Sequence, residues 1–270
     1  MPQPPKELSQ LQALVQVVAS LRGPEGCPWD LEQTHESLSP YAVEEAHELA
    51  EALESKNDTL IKDELGDVLF QVILHCQLAQ ERGAFSLNDV ILNINEKLIR
   101  RHPHVFEGQK VSGSQEVIAN WEAIKNKEKG QVDPFELKVP TGMPALQRAA
   151  KIGFRTEKLK FDWENAEQVR EKVREEFAEL EEALDLESES EIRHEIGDVF
   201  FSLAQLARHL QMDPEQIGRE ANRRFEHRFK TMMQLREEKK LSWETMTLQD
   251  KENLWQEAKA LIKSLKKTSV

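Results

Sequence analysis

Two short acidic phrases, each written twice at the same internal distance, limit what this chain can fold into. The first half carries Glu44-Glu45-Ala46-His47-Glu48 and then Glu64-Leu65-Gly66-Asp67. The second half carries Glu175-Glu176-Phe177-Ala178-Glu179 and then Glu195-Ile196-Gly197-Asp198. In both halves the phrases start 20 positions apart, from 44 to 64 and from 175 to 195. A copy at fixed spacing marks two related modules. On a helix, Glu45 and Glu48 stand at i and i+3 and share a face, as do Glu64 and Asp67. Antiparallel packing of the two helices then brings four carboxylates together. Like charges so placed repel unless a cation sits among them. Oxygen-only ligands suit a hard divalent ion, Mg2+ or alternatively Mn2+. A single EExxE phrase is an ordinary solvated helix face; both phrases repeated with the gap preserved favour a site.

The surrounding periodicity sharpens this. Leu60, Glu64, Asp67, Gln71, Leu74 and Leu78 form one heptad-like row, and Ile61, Leu65, Val68, Leu69, Val72 and Cys76 lie on the other sides. Such a helix is expected to be buried nearly all round. The matching row in the second half is polar: Glu191, Glu195, Asp198, Ser202, Gln205 and His209. It is expected to wall a wet cleft. The helix carrying Glu45 is expected to start with Ser39 as cap and Pro40 at its first position, and to bury Val43, Ala46, Ala50 and Leu53.

No stretch shows convincing period-two alternation, so the fold class is all-α. Two related helical-bundle modules are expected, 1–130 and 146–270, joined by a Pro/Gly-containing linker over 131–145 that includes Asp133-Pro134 and Pro140-Thr141-Gly142-Met143-Pro144. Pro24 to Asp30 reads as a loop, the helix after Ser86 as ending at Pro103, and Leu146–Ile152 as a short helix stopped by Gly153-Phe154. Trp29 is read as a core anchor or a ligand-stacking ring, the anchor being the commoner role.

The net charge of −13 argues against a sequence-independent hold on nucleic acid or on an anionic membrane. It leaves room for a small phosphorylated ligand bridged by metal. Two cysteines, Cys27 and Cys76, without a CxxC pattern point to unpaired thiols in a reducing cytoplasm. No apolar run approaches a membrane span. The repeat also extends past the acids. Lys97, Arg100 and Arg101 precede Trp121-x-x-x-Lys125, as Arg224, His227 and Arg228 precede Trp255-x-x-x-Lys259. An indole face can stack on a base and Arg can hold phosphate oxygens; the same indole can equally anchor helix packing.

Together with Cys27-Pro28-Trp29-Asp30, Arg101-His102-Pro103-His104, the Pro-Thr-Gly-Met-Pro linker and Gly153-Phe154, these motifs resemble the MazG family of all-α nucleoside triphosphate pyrophosphohydrolases over nearly the whole chain. The resemblance implies hydrolysis of NTPs, and of dNTPs as a second class, to NMP and pyrophosphate with Mg2+ in a homodimer. By motif it makes Glu176, Glu179, Glu195 and Asp198 metal ligands, and with Glu175 the catalytic set. Lys172, Arg193, His194, Asp198, Arg224, Arg228 and Trp255 become nucleotide contacts. Glu45, Glu48, Glu64 and Asp67 are retained as metal ligands in the first module. The basic helix departs from the pattern, since Lys97-Leu98-Ile99 matches Asn222-Arg223-Arg224 only loosely.

Two rivals stand beside this reading. A di-iron carboxylate bundle needs Glu-x-x-His twice; Glu44-x-x-His47 supplies one and Glu175-x-x-Ala178 breaks the second. A non-enzymatic helical adaptor would leave the acids as solvated faces, with no reason to preserve two gaps.

Overall fold

The computed structural model describes residues 2–128 and 135–268. Contacts divide the chain into two units, residues 1–130 and 131–270. The first four residues of the expected linker, with Asp133-Pro134, lie outside the described residues. Among the described residues there is no strand, and twelve helices follow one another.

The first unit holds α1 (Leu11–Leu21), α2 (Pro28–Glu32), α3 (His35–Ser55), α4 (Asp58–Glu81), α5 (Leu87–Arg101), α6 (Pro103–Phe106) and α7 (Ser114–Glu128). The short helices α2 and α6 fall where loop and helix end were expected. Pro28 and Pro103 open them, their fixed φ suiting a first helical turn. The helix with Glu45 also begins earlier than expected. Thr34 caps α3 in a reciprocal capping box with Ser37, which leaves Pro40 inside the helix. The core gathers Val18, Leu38, Ile73, Leu74 and Leu78, with Leu14, Val15, Phe70 and Leu87 around it.

The second unit holds α8 (Ala145–Lys158), α9 (Ala166–Asp185), α10 (Glu189–His209), α11 (Pro214–Glu238) and α12 (Leu248–Thr268). α8 packs on α10 and α11, and α12 pairs with α11 around Met232, Leu235, Leu254 and Ala258. α8 runs straight through Gly153 instead of stopping there. A Cβ at 153 would sit 2.0 Å from Gln205 Oε1 and 2.5 Å from Arg208 Nε, so the glycine serves a close approach to α10.

That approach also corrects the expected wet cleft. Ser202 and Gln205 are buried, at 2% and 0% exposure, because α8 covers the lower part of the polar row. Gln205 donates to the Ala149 carbonyl at 2.7 Å and accepts from Arg208 at 2.8 Å. Arg208 in turn holds the Asp162 carboxylate, with Nη1 to Oδ2 at 2.9 Å. Burial raises Asp162, yet the hydrogen bonds from Arg208 and His209 more than offset it and leave the carboxyl below its usual range.

In the first unit, His35 and His75 stack at 5.1 Å with Nδ1 atoms 2.8 Å apart. Burial first, and His35 second, hold His75 below the ordinary histidine range. A depressed histidine contributes stability that is complete above the unfolded value and is lost as pH falls through the folded one. Thermal unfolding should therefore show wild type losing more stability than His75→Leu between pH 7.5 and pH 5. Equal losses would show that the pair carries no proton linkage.

Candidate active site

Each acidic phrase sits in a helical hairpin. α3 turns into α4 through Lys56, and α9 into α10 through Glu187, both in the left-handed region at φ 56° and 53°. Such short connections make the helix pairs antiparallel. Asn57 and Asn165 cap α4 and α9 by accepting from the first free amides.

Of the stripe Val43, Ala46, Ala50 and Leu53 expected to face inward on α3, only Ala50 is half-buried. Val43 is 51% exposed and Leu53 53% exposed. Leu38 and Ala52 are buried, and Glu45 and Leu49 between them are half-buried, in helical register. The glutamate thus occupies the packed face itself. α9 does the same, with Val169, Val173, Glu176 and Ala183 buried. Nor is α4 buried on all sides: Leu60, Leu65, Leu69 and Val72 are open in the single chain. Only α1, α3 and α5 pack on it in number, which leaves one apolar face bare.

The hairpins bring the acids together. One oxygen each from Glu45, Glu48 and Glu64 lie within 4.8 Å of one another, and likewise Glu176, Glu179 and Glu195. Asp67 is near enough to raise Glu45 and Glu64 but stands outside that trio. Asp198 stands outside the second trio, with Oδ2 3.5 Å from His194 Nε2. A further group joins Glu191, His194 and Glu195.

Electrostatics separates the two clusters. In the first, Glu45 is raised by burial, then by Asp67 and Glu48, and Glu64 by desolvation, then by Glu48 and Asp67. Glu64 Oε2 and Gln71 Oε1 are buried without a hydrogen-bond partner. In the second, Lys172 Nζ lies 2.7 Å from Glu175 Oε1 and 2.9 Å from Glu176 Oε1. Those two bonds, Glu175 first, push the lysine above its usual range and keep it charged. Glu179 remains raised, by desolvation and then by Glu176. Convergent carboxylate oxygens fit a hard divalent cation in each cluster, and in the first the orphaned buried oxygens of Glu64 and Gln71 add to that fit.

The remaining expected contacts stand outside the trio. Arg193 pairs with Glu189 at 3.3 Å on exposed α10. Arg224 reaches Glu220 of its own helix at 3.7 Å, and Arg228 is half-buried one turn on. Trp255 is half-buried against the α11–α12 core and lies 5.1 Å from Phe225. In the first unit, Trp121 takes Lys125 on its ring at 4.7 Å and Arg101 at 5.3 Å. Arg100 and Arg101 both grip Glu128, which falls to about 2 through the Arg101 and then the Arg100 hydrogen bond. His47 is exposed and no trio includes it, so the di-iron pattern is not built.

Sequence reasoning assigned no role to two residues beside the first cluster. Gln71 shared the row of Glu64 and Asp67, and being its one amide among leucines was the available signal. Tyr41, one turn ahead of Glu45, meets Trp29 edge-on at 5.9 Å. Trp29 itself is 49% exposed, so it is no core anchor.

Comparison with known proteins places this geometry. The model of the MazG nucleotide pyrophosphohydrolase domain matches residues 33–106, which contain the first trio. The chain is 46% identical over 249 residues to the nucleoside triphosphate pyrophosphohydrolase/pyrophosphatase MazG of Thermotoga maritima, covering 92% of this chain and 95% of that one. The chain belongs to the MazG family. Membership makes it a hydrolase of phosphoric anhydride bonds. A nucleoside triphosphate pyrophosphohydrolase of Escherichia coli is 38% identical over 93% of this chain and 98% of its own length. Residues 151–225 of this MazG-family chain, with the second trio, match the model of phosphoribosyl-ATP pyrophosphohydrolase. Both matched descriptions therefore name a pyrophosphohydrolase.

Proposed function

We infer that the chain hydrolyses nucleoside triphosphates, and deoxynucleoside triphosphates as a second class, to the monophosphate and pyrophosphate. The observation that carries this is the convergence of buried Glu176, half-buried Glu195 and exposed Glu179, with Lys172 paired into the group. Those three carboxylates, with Asp198 beside them, would hold Mg2+ or Mn2+. A bound Mg2+ supplies neutralisation of phosphate charge and acidification of a water. The water oxygen bonds to the α-phosphorus, the bond to the bridging oxygen of pyrophosphate breaks in line, and a carboxylate takes the proton. Glu175 or a member of the trio is that acceptor. Lys172 can exchange its carboxylate partners for a phosphate oxygen, and Arg224, Arg228 and His194 add positive charge. Trp255 offers part of an indole face. The rigid helices keep these groups in place, and positioning with charge stabilisation supplies most of the rate.

The first module carries a matching trio and is read as a second cation site. A homodimer is the assembly that best accounts for the bare apolar faces of α3 and α4 and of α9 and α10, where Phe177, Phe200 and Leu203 are also open. Light scattering should return twice the chain mass. No described helix is long and apolar enough to cross a membrane, and both cysteines are free, which suits a cytoplasmic enzyme.

The test is a panel of NTPs and dNTPs with and without Mg2+, resolving NMP plus pyrophosphate from NDP plus phosphate. Monophosphate and pyrophosphate in equal amounts are expected, and none in chelator. Release of NDP and phosphate would overturn the reading.

A further inference from the structure

We propose that the two clusters are unequal cation sites, the first module's trio binding a divalent ion more tightly than the second's. This rests on the reading of both trios as cation sites. The reason is a swap of neighbours. Lys172 stands three residues before Glu175-Glu176, and Tyr41 stands at the same place before Glu44-Glu45. The lysine Nζ lies 2.9 Å from Glu176 Oε1, on a carboxylate that belongs to the second trio. A divalent ion entering there must displace that ammonium or sit beside it, and both oppose binding. Tyr41 brings no charge.

A second swap acts the same way. Each ExxD phrase is preceded by one residue, His194 in the second module and Asp63 in the first. The His194 ring is 3.3 Å from Glu195 and 3.5 Å from Asp198, so it occupies acceptor oxygens of the second cluster. Asp63 instead adds negative charge next to Glu64.

An independent feature points to a ligand in the first cluster. Gln71 is 7% exposed and hydrogen-bonded to Glu45, and its Oε1 is buried without a partner. A buried amide oxygen so left is costly unless something fills its second role. An amide carbonyl beside carboxylates is an ordinary hard-cation ligand. The second module has no counterpart: Ser202, at the same place in the row, donates to the Val199 carbonyl of its own helix at 3.1 Å.

The experiment is calorimetric titration of the metal-free full chain with Mn2+ alone. Two classes of site per chain are expected. Glu45→Gln removes the tighter class and Gln71→Leu weakens it, while Glu176→Gln removes the weaker. Lys172→Tyr tightens the weaker class by at least about tenfold, the scale of one unit charge at contact in a partly screened site. Tyr41→Lys weakens the tighter class comparably. Both of these residues are partly exposed, so the folds survive even where Glu176→Gln does not, and circular dichroism checks it. A single affinity for both sites, or no response to Lys172→Tyr, overturns the inference and leaves the cation reading standing. Absence of any saturable Mn2+ binding overturns both.

Discussion

Glu179→Gln is expected to lower nucleoside triphosphate turnover by about 10²–10³-fold while leaving the melting temperature nearly unchanged. Glu179 is exposed on α9, its carboxyl converging with Glu176 and Glu195 across the hairpin. The amide keeps the shape and loses the charge, so a cation and the developing phosphate charge lose one of their fixed counterparts. Surface substitutions of this kind usually move stability by less than about 0.5 kcal/mol. Glu176 is a poorer probe, because it is buried and paired with Lys172, so its loss disturbs packing as well as charge. Steady-state kinetics at saturating Mg2+, with melting curves beside them, separate the two effects. Full turnover in folded Glu179→Gln would remove the second trio from the chemistry.

Arg208→Ala should destabilise the second module by about 3–5 kcal/mol, the range for breaking a buried pair at one end. Arg208 is 7% exposed and spends its guanidinium on Asp162 and Gln205, with its plane 5.4 Å from the Phe154 ring. Removing it leaves the Asp162 carboxylate and Gln205 Oε1 enclosed without these donors. The pH dependence has a definite sign. Because Asp162 is held below its unfolded value, its contribution is complete above the ordinary carboxylate range and is lost as pH falls through the folded value. Denaturant titration of wild type at pH 7 and about pH 2.5 should show that loss, and Arg208→Ala should show less of it. A variant as stable as wild type would mean the network is only a neighbour of the core.

The helical hairpins were legible because two phrases and one gap were written twice, and the αL turns at Lys56 and Glu187 repeat as well. The buried stripe of α3 was misread for a physical reason. Hydrophobic periodicity assigns the apolar side to the core, whereas here Glu45 holds a packed position and Val43 and Leu53 face out. A glutamate in a core stripe is what a site looks like, and pattern reasoning discounts it. Gly153 read as a stop because glycine disfavours helix; its use is the approach of α10, a tertiary fact. The Asp162–Arg208 network joins residues 46 apart and has no local signature. Tyr41 and Lys172 occupy equal places with different charge, visible in the sequence only once the two modules are superposed on their acids.

The most direct test of the chemistry is hydrolysis of ATP in 18O-enriched water with Mg2+, followed by mass spectrometry of both products. Attack at the α-phosphorus predicts one heavy oxygen in AMP and none in pyrophosphate. Label in pyrophosphate, with unlabelled AMP, would place the attack on the β-phosphorus and contradict the account.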